Sequence, residues 1–222
     1  MPDHSARETR ENGVVEADPK PADPVRRARS ISSVDEAAAL YRDWASTYDD
    51  DVFGTLAFTG SGRIAELLVA FLADRAQPVI DLGCGTGAVG RRLAELGVST
   101  IDGLDLSPEM LAVAGTTGAY RNLSIADLNQ AVDLPDAGYT ASVSAGTFTC
   151  GHVGPSVVPS LLRLLGEGGI VAWVIGISMW PEFEPVLEAG SLDVLHQEVE
   201  PIRRDGLPEA VMYVARHRAS TA

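Results

Sequence analysis

The sequence predicts a single α/β domain whose centre is a parallel β-sheet flanked by helices. Its 222 residues are enough to form one sizeable hydrophobic core. Short apolar segments alternate with segments of helical periodicity along most of the chain, which is typical of repeated strand–helix units. A glycine-rich turn within residues 78–90 joins one of these strands directly to a helix. We expect the other elements to be arranged around this turn.

The N-terminal segment, residues 1–32, is expected to be a disordered tail. It is rich in charged residues and proline and lacks hydrophobic periodicity, so it cannot bury enough apolar surface to fold alone. We expect order to begin at Ser33, because the sequence Ser-Val-Asp-Glu has the pattern of a capping box closed by Glu36. Residues 218–222 are expected to form a short C-terminal tail.

The first predicted helix carries a stripe of aromatic residues. Tyr41, Trp44 and Tyr48 recur at i, i+3 and i+7 and would share one helix face. Two interpretations are open: the rings only pack against the domain, or residues 33–59 form a lid over a ligand. The domain itself would then comprise residues 60–217.

The glycine-rich turn has the composition of a ligand-binding loop. Val79 and Leu82 belong to an apolar run typical of a buried strand. Gly83, Gly85 and Gly87 follow, and glycines allow the backbone to approach a ligand closely. The helix behind them would add free N–H groups and the positive end of its dipole. This arrangement is suited to a nucleotide-like ligand.

The elements after this turn continue the strand–helix alternation. Ser107 is expected to be the N-cap of a helix with Pro108 at its first position. Residues 155–165 and 179–188 are expected to be helical. Strands are predicted at residues 99–106, 120–125, 140–145, 170–175, 192–202 and 210–217, the last two as an antiparallel pair at the sheet edge.

Three acidic side chains fall at the ends of predicted parallel strands. The carboxyl ends of parallel strands share one edge of the sheet, where such folds bind ligands. We therefore expect Asp81, Asp105 and Asp127 to lie near one another. A carboxylate at the end of the second strand can accept hydrogen bonds from both ribose hydroxyls, so Asp105 is the candidate ribose ligand.

The other two acids have candidate roles on the same ligand. Asp127 would accept a hydrogen bond from an exocyclic adenine amine while the N–H of Leu128 donates to the ring, and Leu106 or Met110 would contact the ring surface. Taken alone, Asp127 would more often be an ordinary turn or cap residue. Asp81 needs a partner at the end of a buried strand, and a ligand ammonium group would supply one.

These motifs together resemble a known family. The run Asp-Leu-Gly-Cys-Gly-Thr-Gly at 81–87, then Asp105, then Ala-Asp-Leu at 126–128 is similar to the motifs of class I S-adenosylmethionine-dependent methyltransferases, over residues 34–217 or so. Residues 41–49 and 146–154 further resemble the small methyltransferases that are similar to the Williams-Beuren region methyltransferase-like protein.

The resemblance implies a doubly wound, Rossmann-like sheet of seven strands in the order 3-2-1-4-5-7-6, with the last strand antiparallel. It also implies that S-adenosylmethionine is the cofactor. The glycines would hold its methionine part, Ser144 or Ala145 would contact the ammonium group, and the aromatic helix would cover the site. The predicted cofactor-binding set is Tyr41, Trp44, Tyr48, Asp81, Gly83, Cys84, Gly85, Gly87, Asp105, Leu106, Met110, Ala126, Asp127, Leu128, Ser144 and Ala145.

An NAD-dependent oxidoreductase is an alternative. Residues 85–90 satisfy the pattern G-x-G-x-x-G, and Asp105 lies at a distance that suits NAD. Dehydrogenases of this build usually place the motif near the start of the chain and add a substrate domain. Here the motif begins only after residue 80, and Asp81 and Gly83 also favour the methyl donor.

The acceptor is expected to be a small molecule. The net charge of −14 disfavours nucleic acid and anionic membranes as partners. Methyltransferases that modify amide or base nitrogens resemble one another in an Asn- or Asp-Pro-Pro-aromatic motif, whereas this chain has Ser-Ala-Gly-Thr-Phe at 144–148. His152 is the candidate general base, although a surface or capping role is equally open. A binding protein without catalytic activity is a further alternative.

The composition also bears on location. Two cysteines, the lack of a signal-peptide pattern and the lack of an apolar run of roughly 18 residues favour a cytoplasmic protein with reduced thiols. No metal site is expected.

Overall fold

The computed structural model describes residues 27–28, 31, 34–203 and 209–218. The predictions for most of the N-terminal tail, for Ser33 as a helix cap and for residues 219–222 therefore lie outside the described residues. Within the described part, no helix is long and apolar enough to cross a membrane.

Strands and helices alternate as the sequence predicts. The strands are β1 (Val79–Leu82), β2 (Ile101–Asp105), β3 (Asn122–Ile125), β4 (Tyr139–Phe148), β5 (Leu165–Gly176), β6 (Leu192–Pro201) and β7 (Glu209–His217). The α-helices are α1 (Val34–Trp44), α2 (Gly60–Phe71), α3 (Ala88–Glu95), α4 (Pro108–Thr116), α5 (Val158–Leu162) and α6 (Trp180–Ala189).

The described strands form one seven-stranded sheet in the order β3-β2-β1-β4-β5-β7-β6. The strands from β3 to β5 are parallel to their neighbours, while β7 is antiparallel to both β5 and β6. This confirms the doubly wound fold and the predicted strand order. Because β1 lies between β2 and β4, the glycine loop lies between the ends of these two strands.

Apolar side chains cover both faces of the sheet. On one face, Ile64 and Leu68 of α2 pack with residues of α3, and both are fully buried. On the other face, Phe183 of α6 packs with Trp173 and other residues of β5. All four residues of β1 are buried, which explains why its sequence is continuously apolar apart from Asp81.

The fourth strand is longer than predicted, and its extension corrects one expectation. The sequence predicts that the strand ends at residue 145 and that a loop follows, but β4 continues to Phe148. Phe148 is fully buried, with its ring centroid 4.9 Å from that of Trp173 and 5.2 Å from that of Phe183. Packing against these two rings keeps the chain extended.

The aromatic stripe also differs from the prediction. Helix α1 ends at Trp44, and Tyr48 lies beyond it, just before a π-helical segment, Asp50–Thr55. The rings nevertheless meet, because the Tyr48 centroid is 4.7 Å from that of Trp44 and 6.3 Å from that of Tyr41. The three residues therefore form one cluster although they do not share one helix.

A buried carboxylate joins β2 to residues of β3 and β4. Asp102 accepts hydrogen bonds from the Tyr139 hydroxyl at 3.0 Å, the Arg121 Nε at 3.0 Å and the Asn122 backbone N–H at 3.1 Å. Burial by itself would raise the pKa of Asp102, but these hydrogen bonds outweigh it and hold the pKa below its usual value.

We predict that Asp102→Ala lowers the free energy of unfolding at pH 7 by about 2–3 kcal/mol, because it removes charge-assisted hydrogen bonds and leaves the buried Tyr139 hydroxyl without its acceptor. Since the folded-state pKa is lowered, the stabilisation is present above about pH 4 and is lost as the pH falls through the folded-state pKa. Urea unfolding across pH measures both effects. The exposed control Asp133→Ala should change stability by less than about 0.5 kcal/mol, and an equal loss in both variants would contradict the assignment.

Candidate cofactor and acceptor cavities

The glycine loop needs glycine for two different reasons. Gly83 has φ +69°, and a Cβ added there would lie 2.1 Å from the Thr147 Oγ1, so any side chain would collide with the Thr147 side chain of β4. Gly85 has φ +53°, and a Cβ there would meet nothing within 4 Å. Gly85 therefore faces open space, which is the arrangement expected where a ligand approaches the backbone.

A first cavity, here called the cofactor cavity, lies in front of this loop. It brings together most of the predicted ligands from five separate segments of the chain. Those that line it are Tyr41, Tyr48, Gly83, Cys84, Gly85, Asp105, Leu106, Met110, Ala126, Asp127, Leu128 and Ala145.

Asp105 is held in place by backbone groups. Its Oδ2 accepts a hydrogen bond from the Gly85 N–H at 2.8 Å, and its Oδ1 accepts one from the Ser107 N–H at 2.9 Å. Burial raises the pKa of Asp105, although these N–H groups oppose the shift. Each carboxylate oxygen can accept a further hydrogen bond, so the geometry is compatible with two ribose hydroxyls.

The predicted adenine residues lie in the same cavity. The side chains of Met110 and Leu128 are 2% and 5% exposed and, with Leu106, form an apolar wall. Asp127 accepts a hydrogen bond from the Asn129 N–H at 2.9 Å through Oδ1. This is the geometry of an ordinary turn residue, but Asp127 also lines the cofactor cavity, where its second carboxylate oxygen could accept a hydrogen bond from a ligand.

Four predicted ligands do not line the cofactor cavity. Trp44 lines a second, adjoining cavity. Gly87 is the N-cap residue of α3. The Ser144 hydroxyl donates to the Leu82 carbonyl at 2.7 Å and is fully buried. Asp81 is also fully buried.

Asp81 has a protein partner that the sequence did not reveal. Its Oδ2 accepts a hydrogen bond from the Tyr120 hydroxyl at 2.7 Å, while Oδ1 has no partner among the described residues. Burial raises the pKa of Asp81 to about 7, although Tyr120 opposes the shift. A role for Asp81 toward a ligand ammonium group stays a prediction.

A second cavity of about 440 Å³, here called the acceptor cavity, adjoins the first. Aromatic side chains line much of it, among them Tyr41, Trp44, Tyr48, Phe53 and Phe58. Phe148 and Trp180 do not line it. Among the described residues, those shared by both cavities are Tyr41, Tyr48, Phe53, Ser61, Ala145, Gly146 and His152.

Two hydrogen bonds attach the N-terminal segment to the site. The Thr86 hydroxyl donates to the Asp49 carboxylate at 2.6 Å, and the Tyr41 hydroxyl lies 2.7 Å from the His152 Nε2. Sequence reasoning missed the roles of Thr86 and Asp49. The position of Thr86 inside the glycine run was an available signal, whereas nothing local points from Asp49 to a partner 37 residues away.

The surroundings of His152 determine its tautomer. Its Nδ1 lies 3.1 Å from the Cys150 carbonyl oxygen, which can only accept, so Nδ1 carries the proton. Nε2 then accepts from Tyr41, whose hydroxyl stays protonated because burial raises its pKa. Burial also lowers the pKa of His152, although the bond to Cys150 opposes the shift. His152 is therefore neutral near pH 7, with its lone pair directed at Tyr41.

One group of potential metal ligands lies away from both cavities. His196, Glu198 and Glu200 on β6 have ligand atoms within 4.8 Å of one another. Arg63 already holds the Glu200 carboxylate through hydrogen bonds of 2.8 and 2.9 Å. A cation at this place would have to compete with the Arg63 guanidinium.

Comparisons with known proteins agree with the fold and the cofactor cavity. A family model described as a methyltransferase domain matches residues 79–169. Human Methyltransferase-like protein 27 is 30% identical over 177 residues, which cover 78% of this chain and 71% of the human protein. This similarity supports the subgroup that the sequence motifs indicate.

Other relatives act on different acceptors, to judge by their names. Trans-aconitate 2-methyltransferase of Mycobacterium tuberculosis is 37% identical over 130 residues, 57% of this chain and 46% of its own length. The 18S rRNA (guanine-N(7))-methyltransferase of Bos taurus is 30% identical over 139 residues, 58% of this chain and 47% of its own. The chain thus spans about half the length of these two relatives.

The fold is shared with solved structures of low sequence identity. The cyclase SpnF superimposes with a TM-score of 0.69 at 15% identity, covering 86% of this chain and 98% of that one. This likeness shows the fold alone. The relatives named above are methyltransferases, so the NAD-dependent alternative is not favoured. The chain belongs to the class I S-adenosylmethionine-dependent methyltransferases, and S-adenosylmethionine is its cofactor.

Proposed function

We propose that this protein transfers the methyl group of S-adenosylmethionine to a small molecule held in the acceptor cavity. The observation that carries the proposal is the wall shared by the two cavities, which includes Ala145, Gly146 and the Tyr41–His152 pair. A methyl group directed from the cofactor cavity across this boundary would reach an acceptor bound in the second cavity. A protein that only binds the cofactor needs no such adjoining space.

The cofactor-binding roles follow from position in the cofactor cavity. Asp105 binds the ribose, Asp127 and Leu128 bind the adenine, and the backbone at Gly83 and Gly85 contacts the methionine part. The ammonium group lies near Ala145. These assignments rest on the strand-tip geometry and on the resemblance to the family.

Residues 33–59 act as the lid and residues 60–217 as the catalytic domain in this proposal. Two lid rings, Tyr41 and Tyr48, line both cavities, and the lid is tied to the domain through Thr86 and His152. A closed lid excludes water and aligns the acceptor with the methyl group. Such near-attack alignment can contribute about 7–11 kcal/mol to an in-line displacement.

The size and charge of the site favour a small acceptor over RNA. The cavity volume of about 440 Å³ falls within the range of roughly 300–1,000 Å³ that is typical of small-molecule sites. The net charge of −14 repels a phosphate backbone. The names of the relatives do not distinguish a small acceptor from RNA, since they include both a small acid and an rRNA.

We predict that Asp105→Ala weakens S-adenosylmethionine binding at least about 100-fold, because two hydrogen bonds from ribose hydroxyls to a carboxylate are lost. Calorimetry with S-adenosylmethionine, S-adenosylhomocysteine and NAD measures the effect. Asp133→Ala is the matched control and should bind normally. Unchanged affinity in the Asp105 variant, or tight binding of NAD alone, would contradict the assignment.

We predict that kcat/KM with a proton-bearing acceptor is constant near pH 7–8 and falls about tenfold per pH unit below the pKa of His152. A general base is active only when it is unprotonated. Because burial lowers the pKa of His152, activity should extend below the usual histidine pKa of about 6.5. His152→Asn should remove this inflection and lower turnover. Full turnover of the variant across pH would exclude a role for His152 as the base.

A further inference from the structure

We propose that the acceptor is an uncharged, mainly apolar molecule that carries a phenol-type hydroxyl, and that Tyr41 removes its proton as His152 takes the proton of Tyr41. The inference rests on the proposed function and names the substrate class of that same site. This acceptor differs from those after which the two shorter-matching relatives are named.

The acceptor cavity is apolar where an acceptor would be enclosed. The Phe53 and Phe58 rings are tilted by 59° with a centroid separation of 6.2 Å, and Val52, Leu56 and Ile202 also line the cavity. Apolar aromatic linings of this kind bind ring systems through burial and through aromatic contacts worth about 0.5–1.5 kcal/mol each.

Charged groups are few in the lining. Among the described residues that line the acceptor cavity, the ones with permanent charge are Arg203 and Glu209. Glu209 is exposed and therefore belongs to the rim. The Arg203 Nε donates to the Leu56 carbonyl at 3.1 Å, and the guanidinium keeps its positive charge. Since Arg203 is the one cation with permanent charge among the described lining residues, a substrate with several carboxylates would bury further charges without matching cations, which is costly.

The end of the acceptor cavity that adjoins the cofactor cavity is polar. Tyr41 and His152 line both cavities, so they lie at the boundary that the methyl group crosses in the proposed transfer. Their 2.7 Å hydrogen bond joins the phenol O–H to the lone pair of Nε2. The Cys150 carbonyl at 3.1 Å, with the Thr149 hydroxyl at the same distance, orients the ring through Nδ1. A base oriented by a third group is the usual arrangement for activating a weak nucleophile.

This arrangement selects among acceptor groups. A carboxylate is already ionised near neutral pH, and a neutral amine attacks before it loses a proton, so neither requires a base at the moment of transfer. A phenol-type hydroxyl is largely protonated at pH 7 and gains most from a neighbouring base. The geometry therefore favours oxygen methylation of such a hydroxyl.

The acceptor oxygen forms a bond to the methyl carbon while the carbon–sulfur bond breaks, and the bonding electron pair stays on sulfur to give S-adenosylhomocysteine. The acceptor proton passes to the Tyr41 oxygen as the Tyr41 proton passes to His152 Nε2. The products are the methyl ether, neutral Tyr41 and an imidazolium that releases its proton to solvent.

The substrate class is tested first by binding to the full-length protein saturated with S-adenosylhomocysteine. Phenols of one to three rings are each paired with the carboxylate and the amine of the same ring system, for example 1-naphthol, 1-naphthoate and 1-naphthylamine. We expect calorimetry to show the phenols binding at least tenfold more tightly than their carboxylates, with a negative heat-capacity change. Equal or tighter binding of carboxylates, including trans-aconitate, or no binding by any phenol, would overturn the proposal.

The role of the Tyr41–His152 pair is tested by turnover at pH 8 with S-adenosylmethionine. We expect Tyr41→Phe to lower kcat for 1-naphthol by about 10²–10⁴-fold but by less than tenfold for 4-nitrophenol, which is already ionised. Cofactor affinity, measured separately, should change little. Tyr213→Phe, outside both cavities, is the matched control and should retain full turnover. An equal loss with both phenols would show that Tyr41 only shapes the site.

These results also separate the inference from the proposed function. If the protein binds S-adenosylmethionine and methylates a carboxylate, an amine or an RNA oligonucleotide but no phenol, the substrate class is wrong and methyl transfer stands. If a screen of these same acceptors by mass spectrometry gives no methylated product although the cofactor binds, both proposals fail and the binding-protein alternative gains.

Discussion

The hydrogen bonds accepted by Asp105 fix the geometry on which both cavities depend. One carboxylate oxygen binds the N–H of Gly85 and the other binds the N–H of Ser107, so one side chain joins the loop after β1 to the turn after β2. The positive φ angles of the loop allow the Gly85 N–H to reach this carboxylate. Together with the hydrogen bond from the Cys84 N–H to the Leu104 carbonyl at 2.8 Å, this link positions the glycine loop and the start of α4 at the sheet edge.

A second link fixes the other side of the loop. The Leu82 carbonyl accepts hydrogen bonds from the Ser144 hydroxyl at 2.7 Å and from the Thr147 hydroxyl at 3.0 Å, both on β4. The absence of a side chain at Gly83 leaves the space that Thr147 occupies. Because β4 is held this close, Ala145 and Gly146 become part of both cavities. The cofactor and acceptor spaces thus share a wall as a consequence of how β1 and β4 are joined.

The fold was largely predictable because its signals are local. The apolar run at Val79, the glycines behind it and the cap at Ser107 each specify their own element, and the Ser107 Oγ does accept a hydrogen bond from the Met110 N–H. The grouping of Asp105 with Asp127 followed from strand direction alone. What escaped prediction depends on contacts between distant segments, as the burial of Phe148 beside Phe183 and the bond between Asp81 and Tyr120 illustrate.

The lining of the acceptor cavity also depends on contacts between distant segments, so the sequence does not predict it. Its aromatic lining combines Tyr41 and Phe53 of the N-terminal segment with Ile202 near the end of β6, and no periodicity in the sequence connects these positions. The tautomer of His152 likewise depends on a carbonyl and a phenol that only the folded chain brings together. The sequence identified the cofactor, whereas the character of the acceptor emerged from the folded arrangement.

A crystal structure with S-adenosylhomocysteine would show most directly whether the cofactor can deliver its methyl group to the acceptor cavity. We expect ribose hydroxyls on Asp105, adenine against Met110 and Leu128, and the sulfur beside Ala145, facing Tyr41 and the acceptor cavity. Adenine bound among Phe53 and Phe58, or a sulfur directed away from Tyr41, would exclude this route of transfer.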